Sequence, residues 1–489
     1  MEIGFIANAF REKSILITGS TGFLAKILVE KVLRVQPKVK KLYLLVRATD
    51  SQSAAQRVQN EVIEQELFHV LREKHGKEFG TFIWEKISPI PGDIIHENLG
   101  IEDAELRELL WKDINMIINV AATTNFYVRY DVALNVNVLG PKHVMKFAKS
   151  CSKLEVLLHV STAYVTRDKP GLLLEKALSM EETLKDNLFF DIDTEIELVE
   201  RRKKELQAGK PTEDVEKMAM KELGIERARH FGWPNTYVFT KAMAEMLLGQ
   251  LRGNLPLVIA RPTIITSTWR DPIPGWIEGI RTIDSIIVGY MKGNLPCFLG
   301  DTDSVMDVIP GDMVINAMIA MVVAHSNQNA EFIYHISSSV RNPVNYEVLE
   351  RSGYSYVAKH PRIGKDGKEI RMFKVPVFKT LDSFHAYLFL RHQLPLEMLR
   401  VVNFILCHLF SKKYNELRSK YKIVMRLADL YAPYCFLKGR FDDINLERLR
   451  METRKHGDSH MFDFDPKNID WDAYFHNIHI PGVIRKAIK

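Results

Sequence analysis

The chain has 489 residues, of which 46% are hydrophobic and 26% charged, and its formal net charge is +6. This balance is that of an ordinary soluble globular protein, and the length suits two or three domains, or one large domain and a smaller one. The mild charge and the lack of a long block of like charges argue against a nucleic-acid partner. No apolar run reaches the roughly 18 residues that a membrane-spanning helix requires.

The cysteine and histidine patterns predict neither a disulfide framework nor a metal site. The cysteines are far apart and form no C-x-x-C pair, which is typical of free thiols in a reducing compartment. His476 and His479 stand three residues apart, but no acidic or thiol ligand completes a metal-binding set. The four cysteines are Cys151, Cys297, Cys407 and Cys435.

The first 160 residues alternate between strand-like and helix-like segments. Short runs that are apolar on both faces predict buried parallel strands, and the segments between them show the helical spacing of apolar residues. Right-handed crossovers then give an α/β fold, a doubly wound parallel sheet of the Rossmann type. The predicted strands are 14–18, 41–46, 87–90, 114–120, 156–160 and 257–260, and the predicted helices include 23–35, 53–75, 137–149 and 236–251.

Two segments depart from this alternation. A charged, helix-prone stretch at 168–231 predicts either a helical surface insertion or simply a solvated helical face. From about residue 350 the alternation fades, and apolar-rich helical patterns cover 380–410 and 414–431. We therefore predict a large α/β domain over 1–365 and a smaller, mainly helical C-terminal domain over 366–489.

A glycine pattern lies where the first predicted strand turns into the first helix, in the segment TGSTGFLA. Gly19 permits the tight turn, Gly22 lets a pyrophosphate approach the backbone, and Ala25 allows close helix packing. The pyrophosphate of a dinucleotide would then meet the free N–H groups and the positive end of the helix. The same residues could merely turn and cap a helix, but the strand before and the helix after favour a cofactor site. The residues predicted to contact the cofactor here are Gly19, Thr21, Gly22, Phe23 and Leu24.

The ends of later strands carry further candidate cofactor contacts. Arg47 follows the second strand, where an acidic residue would favour NAD and an arginine can pair with the 2′-phosphate of NADPH. NADPH is therefore the predicted cofactor, although Arg47 could also be a plain exposed side chain. Asp93 could accept a hydrogen bond from the adenine amino group, and Asn119 and Ala121 end the fourth strand beside the cofactor. Backbone groups at Thr263 could orient the nicotinamide amide.

Tyr237 and Lys241 are four residues apart and so lie on one face of a predicted helix. A phenol exchanges protons poorly at neutral pH, and a nearby ammonium lowers its pKa into a useful range. Thr162 and Ser161 follow the fifth strand, and Thr162 is the first choice to polarise a substrate carbonyl. Asn137 could support the lysine through a water. Each of these residues could instead have only a structural role: Tyr237 and Lys241 on a helix face, Ser161 and Thr162 as caps of a strand, and Asn137 at the start of a helix. The glycine turn upstream favours the catalytic interpretation.

These motifs together resemble the alcohol-forming fatty acyl-CoA reductases, a plant group within the extended short-chain dehydrogenases that includes the male-sterility-type proteins. The resemblance implies that NADPH reduces a long-chain fatty acyl-CoA twice, through an enzyme-bound aldehyde, to a primary alcohol and free CoA. It also implies a role in lipid metabolism of the wax, cutin or suberin type. The stretch 345–368 does not align with the family's pattern. The matching segments are TGSTGFLAK, KKLYLLVRA, NVAATTNF, LLHVSTAYV, GWPNTYVFTK, LVIARPTI, LYAPYCFLKGRFDD and MFDFDP.

A long acyl substrate needs an apolar surface. The apolar segment 384–410 could line an acyl groove, lie on a membrane surface as a peripheral anchor, or pack into the domain core. The N-terminus lacks the features of a signal peptide or a plastid transit peptide, which disfavours secretion and the plastid. Because the implied substrates are lipids, we expect the endoplasmic reticulum surface or, alternatively, the cytoplasm. We infer no obligate protein partner. The alternatives are a reductase that stops at the aldehyde, a nucleotide-sugar epimerase or dehydratase, and a non-catalytic NADPH-binding protein.

Overall fold

A computed structural model of the chain describes residues 4–166, 169–180, 183–185, 188–292, 295, 297–363, 369–370 and 375–488. At its centre lies a sheet of seven parallel strands. They are β1 (Ser14–Thr18), β2 (Lys41–Val46), β3 (Ile87–Pro91), β4 (Met116–Asn119), β5 (Val156–Val160), β6 (Leu257–Pro262) and β7 (Glu331–Ile336). Their order across the sheet is β7-β6-β5-β4-β1-β2-β3, so the predicted doubly wound α/β fold is confirmed.

The strand order reverses at β1, which pairs with β2 on one side and β4 on the other. In open α/β sheets the crevice at such a reversal, beyond the carboxyl ends of the strands, is where ligands bind. β1, β2 and β5 have their predicted bounds, while β3, β4 and β6 differ from the predictions by one or two residues at their ends. β7 was not predicted.

Helices cover the sheet. The helices Phe23–Val35 and Thr236–Leu251 have their predicted bounds. The helix predicted at 53–75 is instead broken, because Val62, Ile63, Leu67 and Phe68 are all buried and a straight helix would spread them around its circumference. The α-helices associated with the sheet are Phe5–Asn8, Phe23–Val35, Ser51–Val58, His69–His75, Phe79–Lys86, Ala104–Asp113, Tyr130–Leu134, Gly140–Ser150, Ile192–Ala208, Glu213–His230, Thr236–Leu251, Gly311–His325 and Ile444–Lys455.

The stretch predicted as an insertion contains two long helices, Ile192–Ala208 and Glu213–His230, while residue 168 itself lies outside the described residues. Glu195 on the first of them is buried, and it forms an ion pair with Arg227 on the second. It also accepts a hydrogen bond of 2.9 Å from the hydroxyl of Tyr130. The inner side of this helical pair is therefore fixed by a buried polar cluster.

The chain divides into two compact units that are each discontinuous in sequence. The first unit comprises Met1–Glu278, Asp307–Asn342 and Arg440–Ile469 and contains the seven-stranded sheet. The second comprises Gly279–Met306, Pro343–Gly439 and Asp470–Lys489. The predicted boundary at 365/366 lies outside the described residues and stays a prediction. The helices of the second unit are Thr282–Met291, Tyr346–Lys359, Leu381–Leu388, Leu394–Ile405, Ser411–Cys435, Trp471–Tyr474 and Ile480–Ile488.

Several short strands complete the structure. Ile264–Thr266 pairs with Val308–Pro310 in the first unit, and Phe298–Leu299 pairs with Val377–Phe378 in the second. The remaining strands are Gly171–Leu173, Arg362–Ile363, Glu369–Ile370 and Gly439–Phe441. Within the described part of the chain, every helix is too short or too polar to cross a membrane.

Candidate active site

The glycine turn joins β1 to the helix Phe23–Val35 at the strand-order reversal. Gly19 has a φ of +65°, and a Cβ atom there would lie 2.8 Å from the backbone of Ala121 at the end of β4. Gly22 is exposed and caps the helix, and no side chain caps it. The first N–H groups of the helix therefore have no capping side chain, and the exposed Gly22 adds no Cβ atom beside them. This cradle fits the pyrophosphate of a dinucleotide, and Thr21, Phe23 and Leu24 belong to the same turn.

The two residues predicted to bind the adenosine end follow the neighbouring strands. Arg47 comes directly after β2 and its side chain is exposed, while its carbonyl oxygen accepts a hydrogen bond of 2.6 Å from Arg57. Asp93 follows β3 and is partly buried, and its Oδ1 accepts from the backbone N–H of Ile95 at 3.2 Å. Both positions suit contacts with the adenosine half of a dinucleotide held at the glycine turn, and both roles stay predictions.

Asn119 and Ala121 end β4 opposite the glycine turn, but their surroundings differ. Ala121 is partly buried and lies next to Gly19. The Asn119 side chain is 1% exposed, accepts a hydrogen bond from the Thr18 hydroxyl at 2.6 Å, and contacts His159 Nδ1 at 2.9 Å. The side-chain amide is thus hydrogen-bonded within the sheet, so only the backbone of Asn119 is available to contact a cofactor.

The helix Thr236–Leu251 begins at Asn235, whose Oδ1 accepts from the backbone N–H of Val238 at 3.0 Å. Tyr237 in the first turn is partly exposed, and its ring stacks on Phe126 with centroids 5.8 Å apart. Lys241 follows one turn later and is 1% exposed. The phenol thus lies near the surface of the site, while the amine lies in its floor.

Lys241 ties this helix to the carboxyl end of β5. Its Nζ donates to the carbonyl oxygen of Val160, the last residue of β5, at 2.5 Å, and lies 3.2 Å from His159 Nε2. Burial lowers the pKa of Lys241 to about 8, although the nearby Glu245 favours the ammonium. An amine with such a pKa can both hold and release a proton near neutral pH.

Ser161 and Thr162 continue directly from β5 and are nearly buried. The Ser161 N–H extends the sheet by donating to the Ala260 carbonyl at 2.7 Å, while its buried hydroxyl has no hydrogen-bond partner in the described part of the chain. The Thr162 hydroxyl makes one long contact, 3.5 Å to the carbonyl oxygen of Pro262. The structure thus places both hydroxyls at the end of β5, where the sequence predicts them, and their role in binding a substrate oxygen stays a prediction.

Two further predicted residues brace the site. Asn137 is buried; its side chain exchanges two hydrogen bonds with the Thr123 backbone, at 2.9 and 3.1 Å, and donates to the Thr240 hydroxyl at 3.0 Å. It therefore holds the helix that carries Lys241, and a water-mediated contact with the lysine stays a prediction. Thr263 follows β6, and its backbone N–H and hydroxyl both donate to the Ile336 carbonyl, at 3.1 and 3.3 Å.

His159 and Thr18 lie beneath the site, and the sequence did not predict a role for either of them. Both side chains are fully buried, and both hydrogen-bond to Asn119. The available signal was a single histidine within the otherwise apolar strand segment VLLHV. A buried histidine must find hydrogen-bond partners, so its presence there indicates a polar neighbour.

A glycine turn at the reversal of a doubly wound sheet, with a Tyr–Lys pair at the end of β5, defines a nicotinamide-dependent oxidoreductase of the extended short-chain dehydrogenase kind. Two sequence profiles, both described as male sterility protein, match residues 17–318 and 391–489. The chain belongs to the male sterility protein family.

Relatives and solved structures agree with this assignment. The chain is 49% identical to the alcohol-forming fatty acyl-CoA reductase of Simmondsia chinensis, over 100% of both chains. It is 51% identical to fatty acyl-CoA reductase 1 of Arabidopsis thaliana, over 100% of this chain and 99% of that one. In fold it is similar to the terminal R domain from the myxalamid PKS-NRPS pathway, with a TM-score of 0.58, 17% identity, and coverage of 98% of this chain and 91% of that one.

Proposed function

We propose that this chain converts a long-chain fatty acyl-CoA into a primary fatty alcohol and free CoA, with NADPH as the reductant. The observation that carries the proposal is the location of Lys241, whose amine lies at the carboxyl end of β5, one helical turn from Tyr237 and next to Ser161 and Thr162. The full-length identity to an alcohol-forming fatty acyl-CoA reductase supports the choice of substrate.

Arg47 supports the choice of NADPH over NADH. Its exposed guanidinium follows β2, where a ribose 2′-phosphate would lie if the pyrophosphate occupied the glycine turn. Guanidinium and phosphate form strong paired hydrogen bonds, whereas a 2′-hydroxyl would gain less from a cation. Once bound, the cofactor supplies one hydride for each of the two reductions.

The first reduction needs a stabilised oxyanion. When a hydride reaches the thioester carbon, negative charge develops on the carbonyl oxygen, and the hydroxyls of Thr162 and Tyr237 donate hydrogen bonds to it. The C–S bond then breaks, its electron pair leaves with the CoA thiolate, and the carbonyl forms again as an aldehyde. The chain's own residues polarise the carbonyl and keep the aldehyde in place.

The second reduction needs a proton as well. The hydride reaches the aldehyde carbon, and Tyr237 gives its phenolic proton to the oxygen to form the alcohol. Lys241 then returns a proton to the phenolate, a transfer for which its pKa of about 8 is suitable. The cycle therefore balances with two hydrides and the protons that end on the alcohol and on CoA.

The direct test incubates the full chain with NADPH and saturated acyl-CoAs of graded chain length, followed by identification of the products by mass. Primary alcohol is the expected product. Aldehyde alone would favour the single-step reductase, and no product with any acyl-CoA would overturn the proposal. Tyr237→Phe is the matched control, since it should still bind NADPH but lose turnover by about 10²- to 10⁴-fold.

A surface of the second unit supports the proposal of peripheral membrane association. In the segment 389–410, large apolar side chains point outward: Phe404 is 74% exposed, Ile405 68% and Leu409 75%. Only Leu396 among the apolar residues of this segment is buried, so the segment contributes little to the core. Exposed apolar patches of this kind mark interaction surfaces.

The charges beside this patch favour an anionic membrane as its partner. Arg391, Lys412 and Lys413 are exposed at its edges, and a basic rim around apolar side chains is typical of helices that lie in a lipid interface. We therefore propose the endoplasmic reticulum surface as the working location. Flotation with anionic vesicles should recover the chain, and the triple variant F404S/I405S/L409S should remain unbound. Equal behaviour of the two proteins would contradict the membrane proposal.

A further inference from the structure

A row of buried polar side chains runs beneath the candidate site across three neighbouring strands. The register of the sheet pairs Thr18 with Asn119, and Asn119 with His159, and all three are at most 1% exposed. The Thr18 hydroxyl donates to Asn119 Oδ1 at 2.6 Å, and Asn119 Nδ2 lies 2.9 Å from His159 Nδ1. His159 Nε2 completes the row, 3.2 Å from Lys241 Nζ.

The start of the row sets the direction of the hydrogen bonds along it. The backbone N–H of Ala121 can only donate, and it donates to the Thr18 oxygen at 3.2 Å, so the Thr18 hydrogen points onward to Asn119 Oδ1. The Asn119 amide then presents its N–H to His159, whose Nδ1 accepts. The opposite amide orientation would leave the Thr18 hydrogen without an acceptor in this row. A neutral His159 therefore carries its proton on Nε2, the atom that faces Lys241.

The protonation of His159 determines which form of Lys241 suits this contact. Burial, and then the charge of Lys241, hold the pKa of His159 well below its usual range, so the imidazole is neutral. Its Nε2–H can donate only to the lone pair of an unprotonated lysine amine. An ammonium has no lone pair, so two hydrogen-bond donors would then face each other. The row thus favours loss of the lysine proton, in the same direction as burial.

Acidic side chains on the helix of Lys241 and on helices packed against it are paired with arginines. Glu245 lies one turn further along the same helix, favours the ammonium, and is ion-paired with the buried Arg261 at 2.5 Å. Tyr237 lies one turn before Lys241, and in the proposed reaction its phenolate accepts the lysine proton after the phenol has protonated the alcohol. The acidic groups on the helices packed against this one include Asp131 and Glu216, both paired with Arg129.

We propose that His159 is a positioning residue for Lys241: supported by Asn119 and Thr18, its imidazole holds the lysine amine at the end of β5 and favours transfer of the lysine proton to Tyr237. This inference rests on the proposed function, in which the Tyr237 phenolate must regain a proton after each alcohol is formed. The proton moves from Lys241 Nζ to the phenolate oxygen, and the amine left behind accepts from His159 Nε2–H. Water returns a proton to the amine before the next turnover.

The test measures kcat against pH for the full chain and two variants, His159→Leu and Thr18→Val. Activity of the unaltered protein should fall at alkaline pH as Lys241 loses its proton. Both variants remove the His159 Nε2–H donor that disfavours the lysine ammonium. H159L removes the imidazole itself, and T18V lets the Asn119 amide rotate, so that the Nε2 proton is no longer fixed. Their alkaline limbs should therefore move to higher pH by about one unit, with a lower plateau.

Controls and a second variant keep this test decisive. His325→Leu removes another buried histidine, on the helix Gly311–His325, and should leave the alkaline limb where it was. T18V changes only one buried atom and carries the test if H159L does not fold. An alkaline limb that stays unchanged, or moves to lower pH, in the folded variants would overturn the proposal.

A second measurement does not depend on acyl-CoA reduction. Nitrogen NMR of the full chain labelled in its histidines reports the imidazole tautomer, and the His159 signal is the one that H159L removes. At alkaline pH we expect Nδ1 unprotonated and Nε2 protonated. A proton on Nδ1 there, or a cationic imidazole, would overturn the inference. A protein with the expected tautomer but no product from any acyl-CoA would instead refute the proposed function.

Discussion

Lys241 Nζ lies 2.5 Å from the carbonyl oxygen of Val160, so a single hydrogen bond joins the helix that carries Tyr237 to the end of the strand that leads into Ser161 and Thr162. Tyr237 and Thr162, the two groups that act on the carbonyl in the proposed reaction, are thereby held by two rigid elements. Active sites require this, because small displacements of reacting groups reduce rates strongly.

The two hydroxyls after β5 should contribute unequally to catalysis. Thr162→Val should lower kcat/KM about 10²-fold, because a donor to the developing oxyanion is lost while side-chain volume is kept. Ser161→Ala is the matched control and should cost less, since Thr162 is the predicted polarising group. Steady-state kinetics with one acyl-CoA would check this order. A larger loss in S161A than in T162V would assign the carbonyl to Ser161 instead.

Cofactor choice should depend on Arg47. Arg47→Glu should reduce kcat/KM for NADPH by about ten- to a hundredfold, because a charge-assisted hydrogen bond to phosphate contributes about 1.5–3 kcal/mol. Activity with NADH should be unchanged or higher. Lys112→Glu makes the same charge change on an exposed side chain and should alter neither value. Equal losses with both cofactors in R47E would argue against a 2′-phosphate contact.

The glycine turn should tolerate no side chain at its first position. Gly19→Ala must adopt a φ of +65° and place a Cβ atom 2.8 Å from the Ala121 backbone. The matched control is Gly253→Ala, where φ is +60° and no atom lies within 4 Å of the added Cβ atom. Positive φ costs alanine about 1–2 kcal/mol at both sites, and crowding adds at least about 1 kcal/mol at Gly19. In thermal melts, G19A should therefore have a lower melting temperature than G253A. Only G19A should weaken NADPH binding. Equal melting temperatures would mean that the turn can widen.

Glu175 should make stability depend on pH. Burial raises the pKa of this carboxyl to about 8. The backbone N–H groups of Asn445 and His335 donate to it at 2.7 and 2.8 Å and lower its pKa, but burial has the larger effect. Because the folded-state pKa exceeds the unfolded one, its stabilising contribution is present at low pH and is lost as pH rises through about 8. The melting temperature of the unaltered protein relative to Glu175→Gln should therefore fall between about pH 5 and about pH 8 and stay level at higher pH. A constant difference would contradict this.

Much of the sheet was readable from the sequence because its strands are buried on both faces. SILIT and VLLHV are short apolar runs, and β1 and β5 have the bounds predicted from them. β7 was missed because EFIYHI mixes charged and aromatic residues, and its His335 is buried beside Arg261 rather than among apolar side chains. Local patterns cannot anticipate polar partners that lie on another strand.

The candidate site divides in the same way. Tyr237, Lys241 and the glycine turn were predictable because their chemistry depends on short, fixed spacings along one element. The role of Asn119 was not, since its amide contacts Thr18 and His159, which lie on strands far from it in sequence and become its neighbours only through the sheet register. The compact units are likewise interleaved in sequence, and composition alone gave no signal for that.

In the proposed reaction, one site delivers two hydrides to the same carbon. The most direct measurement supplies NADPH carrying deuterium at both C4 positions of the nicotinamide, together with an unlabelled long-chain acyl-CoA, and determines the label in the product by mass. We expect a primary alcohol with two deuterium atoms on its hydroxyl-bearing carbon. An aldehyde with one deuterium and no alcohol, or an alcohol with a single deuterium on that carbon, would contradict it.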